Sequence, residues 1–389
     1  MTPEARIATA AEILDEVLAG EPAEKALTGW ARRSRFAGSK DRAAIRDHVF
    51  DALRCKRSFA AIGGAMTGRG LMIGLLRAEG RNPDEVFTGQ GHAPAALSED
   101  ERAAGHAPSE AEAADLPDWM LPDFTVSLGE GWQQVADTLR TRAPVMLRVN
   151  ARKTTREDVL PLLAADGVIA QPVEVSPTAL VVVEGARRIG GAAAYLNGLV
   201  ELQDGASQAV VDRLPLAEGQ RVLDYCAGGG GKTLAMAGRV RADFYAHDAN
   251  PRRLKDLPDR AERAGVPVKL LETGMLSARG PFDLVLCDAP CSGSGAWRRS
   301  PEGKWALTDA SLTQLNRVQD EILDNAQSLV SAGGVLAYAT CSVFQRENQD
   351  RVAAFISRLP DWRVLWQKSW TPGPEGDGFF AACLTRAAG

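Results

Sequence analysis

Apolar positions along the first 90 residues recur at helical spacing. Ile7, Ala11, Ile13, Leu14, Val17 and Leu18 fall on one stripe, and Val49, Phe50, Leu53 and Phe59 suggest another, so 1–90 is expected to be all-α. Between Gly89 and Asp118 the pattern breaks. Gly, Ala, Pro, Ser and acids (Glu99, Asp100, Glu101, Glu110, Glu112, Asp115) leave few large apolar residues, which predicts a linker over 91–118. Packing restarts at Pro117-Asp118-Trp119-Met120-Leu121. Strand-like runs at Met146–Val149, Leu180–Val183 and Leu199–Leu202, with a helix over Arg156–Ala165 capped by Thr155, predict a small α/β subdomain over 119–214. After Gly219 strands and helix-length segments alternate nearly to the end, predicting a doubly wound α/β domain over 215–389. No internal repeat is visible.

Charge and cysteine usage narrow the classes. The 389 residues hold 45 Lys+Arg against 50 Asp+Glu, a net charge of −5 that excludes a wholesale basic coat protein but not a local basic groove. Nine basic residues lie between Arg32 and Arg57 (Arg32, Arg33, Arg35, Lys40, Arg42, Arg46, Arg54, Lys56, Arg57) against three acids (Asp41, Asp47, Asp51). That excess reads equally as an ion-paired solvated face and as a binding surface. No apolar run approaches the length of a membrane span, and the acid-bearing start is no signal peptide. Six scattered cysteines form no disulfide framework, no Cys-x-x-Cys is present, and the four histidines are dispersed. A reducing, cytoplasmic setting is expected, with no metal and no membrane partner.

Val222-Leu223-Asp224 reads as a strand that opens into Cys226-Ala227-Gly228-Gly229-Gly230-Gly231-Lys232-Thr233, with a helix beginning near Lys232. Such a turn lets backbone N–H groups approach a ligand. Phe244 to His247 reads as the next strand, ending in Asp248, 24 residues beyond Asp224 and placed to take ribose hydroxyls. Gly231-Lys232-Thr233 also matches the end of a phosphate-binding loop. That motif needs a glycine where this chain has Cys226, so a nucleoside cofactor is favoured over an NTPase.

Two further strands open into cysteine loops. Phe282–Asp288 leads to Asp288-Ala289-Pro290-Cys291-Ser292, and Gly334–Ala339 leads to Thr340-Cys341-Ser342. Leu312–Val330 between them is long enough for the crossover joining neighbouring parallel strands, at about 4.8 Å spacing. Both thiols then reach one pocket. Carbon 5 of a pyrimidine is a weak nucleophile; a thiolate adding to carbon 6 activates it, and a carboxylic acid at the ring nitrogen, here Asp288, stabilises the adduct. Cys287, Cys55 and Cys383 read as structural, and Cys226 as a backbone contributor. The residues alone leave open which of Cys291 and Cys341 attacks.

At Asp224-Tyr225-Cys226-Ala227, Asp288-Ala289-Pro290-Cys291-Ser292, Tyr338-Ala339-Thr340-Cys341-Ser342 and Asp377-Gly378-Phe379-Phe380 the chain resembles the Sun/RsmB family of RNA cytosine carbon-5 methyltransferases. The resemblance implies a Rossmann-like domain using S-adenosylmethionine, a small RNA-recognition-like α/β subdomain and an all-α, NusB-like N-terminal domain. It implies Cys341 as nucleophile, Cys291 as the releasing thiol and Asp288 between cofactor and base. It also implies cofactor contacts from Cys226 to Lys232, Asp248 and Arg253, with Glu272 a weaker candidate for adenine. The implied substrate is an unpaired cytosine in small-subunit rRNA rather than tRNA, handled by a monomer. Arg148 and Asn150 match a short family motif, and Arg299 and Lys304 lie among tryptophans (Trp297, Trp305), so these four are expected RNA contacts. A catalytically inactive assembly factor is the alternative, disfavoured by the intact Asp288, Cys291 and Cys341.

Overall fold

Five helices carry the N-terminal stripes: α1 (Pro3–Leu18), α2 (Ala23–Arg33), α3 (Ser39–Arg54), α4 (Lys56–Gly63) and α5 (Gly68–Ala78). Thr2 caps α1 by accepting from Ala5 N, and Thr67 caps α5 by accepting from Gly70 N at 3.0 Å. Ile7, Leu14, Ile45, Val49, Leu53, Leu71 and Leu75 share one buried core. Helices α4 and α5 touch backbone to backbone, since a Cβ on Gly74 would lie 1.9 Å from the Phe59 carbonyl.

The chain described, residues 1–387, divides into two units. The helical unit comprises Met1–Arg142 and, from far downstream, Trp297–Ala306; the α/β unit comprises Ala143–Ala296 and the chain from Leu307 on.

The expected linker over 91–118 is ordered as part of the helical unit. Leu97 joins the helical core. Ser98 and Ser109 each start a one-turn helix through a capping box closed by Glu101 and Glu112, a Ser-x-x-Glu signal that the acid-rich composition hid. Asp115 is fully buried and accepts from Arg57 N at 2.8 Å, Ser58 N at 3.0 Å and Ser58 Oγ at 2.6 Å, with Arg140 Nε 2.8 Å away. Residues 119–142, expected in the α/β subdomain, also belong here.

The downstream segment is buried in the same unit. Arg54 Nε donates to the Arg298 carbonyl at 2.7 Å, Lys304 Nζ to the Arg54 carbonyl at 3.0 Å, and Trp305 Nε1 to the Leu53 carbonyl at 2.7 Å. Burial pulls the Lys304 ammonium down to about 8, with Asp115 and Cys55 opposing.

The α/β unit holds two sheets. Strands β1 (Val145–Val149), β2 (Ile169–Pro172), β3 (Ala179–Glu184) and β4 (Val200–Leu202) form an antiparallel sheet in the order 2-3-1-4. Thr155 caps the helix Arg156–Ala165 by accepting from Asp158 N at 3.1 Å, as expected. The larger sheet contains β5 (Arg221–Asp224), β6 (Asp243–Ala246), β7 (Lys269–Leu270), β8 (Phe282–Asp288), β9 (Val330–Thr340), β10 (Trp362–Trp370) and β11 (Phe379–Arg386). Its order is 10-11-9-8-5-6-7. Strands β5 to β9 are parallel, and β11 pairs antiparallel with both β9 and β10, a departure from strict strand–helix alternation. The chain leaves β5 towards β6 and returns on the other side at β8, creating the switch point where open α/β sheets bind ligands. Among the described residues no single helix is long and apolar enough to cross a membrane.

Asp115→Ala removes the carboxylate that four donors surround and leaves Arg140 facing a void. Loss of about 3–5 kcal/mol is expected. The checks are a lowered Tm and faster proteolysis within 91–118; a wild-type Tm would contradict the ordered role of this segment.

Candidate functional site

The glycine turn follows β5 and precedes the helix Gly231–Ala237. Gly228 (φ 52°) and Gly230 (φ 78°) are left-handed, and a Cβ on Gly230 would lie 2.2 Å from Leu257. Asp248, just past β6, accepts from Gly228 N at 3.0 Å and Asn250 N at 2.9 Å, with Arg253 Nη1 3.3 Å away. Two arginines hold the turn by its carbonyls: Arg260 donates to Gly229 O, and Arg148 donates to Gly231 O at 2.8 Å and to Gln203 Oε1.

Asp224 closes the floor of this turn. Its Oδ2 accepts from Thr233 Oγ1 at 2.6 Å, while its buried Oδ1 has no hydrogen-bond partner. Burial pushes the carboxyl up to about 7 against the pull of Thr233, with Asp288 adding to the rise. An open glycine backbone, an unengaged buried carboxyl oxygen and an acid at the end of β6 together fit a nucleoside bearing a polar tail. Cys226 is driven far up by burial, so its sulfur stays protonated. Glu272 sits exposed just past β7.

The catalytic candidates converge at the ends of β8 and β9. Parallel register sets Cys287 beside Tyr338 and Asp288 beside Ala339, so the following loops leave the sheet side by side. Cys291 Sγ and Cys341 Sγ are 3.4 Å apart. The Cys291 thiol is held well above its ordinary value by its hydrogen bond to Cys341, by burial and by the charges of Cys341 and Glu347.

One candidate residue escaped the sequence reading and another makes a contact beyond the one expected of it. Lys232, expected only in the cofactor loop, donates to Asp288 Oδ2 at 2.7 Å and lies 4.9 Å over the Phe379 ring. Burial pulls its ammonium down, but Asp288, Cys341 and Asp224 outweigh that and raise it. Asp288 is thus one half of an ion pair rather than a lone carboxylic acid. Glu347, fully buried, accepts from Ser292 N at 2.8 Å, Ser292 Oγ, Ser342 Oγ at 2.5 Å and Gln319 Nε2 at 3.0 Å. It ties together the residues that directly follow the two cysteines. The repeated Cys-Ser step was the available signal.

The expected RNA contacts are largely corrected. Arg148 is buried on the glycine turn, and burial lowers its guanidinium to about 10, Glu201 opposing and Arg260 reinforcing the drop. Asn150 is buried, donating to Gly198 O at 3.0 Å and Ala264 O at 2.8 Å. Lys304 is buried in the helical unit, and of the four only Arg299 is exposed. Cys287 and Cys383 are fully buried and Cys55 nearly so, as expected. Among the described residues no group of three or more His, Cys, Asp or Glu is placed to hold a metal ion.

Residues 211–384 match the family model for 16S rRNA methyltransferase RsmB/F, and residues 116–187 match its ferredoxin-like domain. A ribosomal RNA small subunit methyltransferase B from Cronobacter sakazakii is 32% identical over 362 residues, covering 88% of this chain and 77% of the relative. The chain belongs to this RsmB/F family. A Serratia proteamaculans relative of the same name is 32% identical, aligned over 69% of this chain and 66% of its own length. The fold is shared with the crystal structure of PH0851, at TM-score 0.78 and 23% identity over 99% of each chain. It is shared also with NSun6 from Pyrococcus horikoshii, solved with SFG, at TM-score 0.61 and 18% identity over 70% of this chain and 99% of that one. S-adenosylmethionine is the family's cofactor, and the glycine turn with Asp224 and Asp248 suits it.

Arg148→Ala frees the Gly231 carbonyl without touching a solvent-facing surface. About tenfold weaker S-adenosylhomocysteine binding by calorimetry is expected, in the range of one lost charged hydrogen bond, with RNA affinity unchanged. The reverse pattern would restore the RNA-contact role.

The raised Asp224 carboxyl stabilises the fold below its ordinary value of 3.8, and that stability is lost as pH rises through about 7. Asp224→Asn cannot ionise, so its Tm is expected to gain on wild type between pH 5 and pH 8. Parallel Tm–pH curves would place the ionisation elsewhere.

Proposed function

We propose that the chain transfers a methyl group to carbon 5 of a cytosine in small-subunit rRNA, through a covalent Cys341–carbon 6 adduct that Cys291 helps to release. The observation that carries this is the thiol pair at 3.4 Å, in a site that also holds the Lys232–Asp288 pair at 2.7 Å. The names of the Cronobacter and Serratia relatives support the rRNA substrate.

S-adenosylmethionine, when bound, supplies an electrophilic methyl group. The turn from Cys226 to Gly231, with Asp248 and Arg253, are the residues that would hold it. Cys341 attacks carbon 6 as the thiolate; the sulfur–carbon bond forms as the 5,6 double bond opens towards carbon 5. Asp288 faces the base and passes a proton from the Lys232 ammonium to the ring nitrogen, dispersing the charge that attack creates. In the release half the proton on carbon 5 leaves to the Cys291 sulfur. The sulfur–carbon bond breaks as the 5,6 double bond re-forms, and the departing Cys341 sulfur takes the proton that Cys291 had held. The ring nitrogen returns its proton through Asp288 to Lys232, and the Cys341 thiol loses its proton to solvent before the next attack. Every group in this sequence comes from one chain, so a monomer suffices. A cytoplasmic location follows from the substrate.

Methyl transfer to rRNA lacking the modification tests this. Cys341→Ala is expected to give neither product nor covalent RNA adduct, and Cys291→Ala to accumulate an adduct stable to denaturing electrophoresis. An adduct that requires Cys291 and survives Cys341→Ala would reverse the two roles.

A further inference from the structure

The end of α2, the start of α3 and the connection between them carry cations that have no ion pair among the described residues. Of the nine basic residues from Arg32 to Arg57, several are engaged within the protein. Arg33 pairs with Glu16, Arg46 with Glu24, Arg54 with Asp51 and Arg57 with Asp118, while Lys56 lies 4.2 Å over the Trp305 ring. Arg32, Arg35, Lys40 and Arg42 are exposed and have no ion pair among the described residues. Asp41, the acid nearest this connection in sequence, is buried and bound to Arg6 at 2.8 Å and to Gly38 N at 3.2 Å.

Between these cations in sequence stands Phe36, 78% exposed, the most exposed large apolar side chain among the described residues. Its exposure is built in. Ser34 and Ala37 are buried, Ser34 N donates to Trp30 O at 2.9 Å, and Ala37 N donates to Ser34 O at 3.1 Å. Arg35 and Phe36 are thereby the two central residues of a hydrogen-bonded turn anchored at both ends. The Arg42 Nε bond to Ala37 O, at 3.0 Å, fixes the α3 side.

A lone aromatic ring among unpaired cations suits a polymer that alternates anions with flat π faces. A membrane surface calls for several apolar anchors on one face, and an acidic peptide gives the ring no partner. A duplex hides its base faces. We infer that the Ser34–Ala37 turn is a docking point for an unpaired RNA segment, one base stacking on Phe36 and neighbouring phosphates meeting Arg32, Arg35, Lys40 and Arg42. This rests on the RNA substrate proposed above and adds where and how the helical unit grips it.

Fluorescence anisotropy of the full chain with a fluorescein-labelled, unstructured oligoribonucleotide, read at several salt concentrations, tests the inference. Phe36→Ala is expected to weaken binding about tenfold with an unchanged salt slope and unchanged Tm, and Phe36→Trp to retain affinity. Arg35→Ala and Lys40→Ala should each lower the salt slope by about one, whereas Arg46→Ala, at an ion-paired site, should stay within twofold of wild type. Phe36→Ala binding within twofold of wild type would overturn the inference. So would an equal loss for duplex RNA, or a loss confined to phosphatidylglycerol vesicles. Wild-type methyl transfer measured in parallel separates the two proposals: its absence sinks the enzymatic one alone, since the turn is judged by binding.

Discussion

The chemistry of this site depends on one buried carboxylate. Glu347 lies in no strand and touches neither proposed cofactor nor base, yet it gathers donors from Ser292 and Ser342, the residues that follow the two cysteines. Loops at the ends of parallel strands are otherwise free to diverge, and strand spacing alone brings their tips only near one another. Four donors on one carboxylate remove that freedom, and a buried carboxylate left short of any of them would be strongly destabilising. Its charge does a second thing: it adds to the forces that keep the proton on Cys291. The placing of the two loops and the raised Cys291 thiol therefore share a cause.

A second constraint runs from the cofactor side. The glycine turn carries no side chains of its own to stiffen it, so the stiffness comes from Arg148 and Arg260, which take its carbonyls. Arg148 belongs to β1 of the smaller sheet, which ties that sheet to the glycine turn. At the end of the turn Lys232 reaches Asp288, coupling the loop proposed to hold the cofactor to the acid proposed to face the base.

Much of this was legible in the sequence. The strands read as ending at Asp224, His247, Asp288 and Ala339, each within one residue of the observed ends, the neighbouring placement of the two cysteines and the glycine turn follow from apolar periodicity and turn residues, which act locally. Three things were not legible, each because burial overrode residue type. Arg148, Asn150 and Lys304 read as surface cations or polar contacts, but their donors meet backbone carbonyls of segments far away in sequence. The acid-rich run over 91–118 read as a linker because composition conceals two capping boxes and the fully buried Asp115. Glu347 was not singled out at all, since its donors come from Ser292, Gln319 and Ser342 on three separate segments. Conversely, the basic excess from Arg32 to Arg57 was visible, but only tertiary ion pairing sorts its engaged members from its open ones.

The central claim is that Cys341 forms the bond to the base while Cys291 keeps its proton. RNA carrying 5-fluorocytidine at the target stalls the reaction after methyl transfer, because carbon 5 then has no proton to lose, and it traps wild-type protein without any substitution. Trypsin separates the candidates, since Cys341 lies on the peptide 318–346 and Cys291 on 280–298. Mass spectrometry is expected to find the nucleotide on 318–346; a nucleotide on 280–298 would contradict the account.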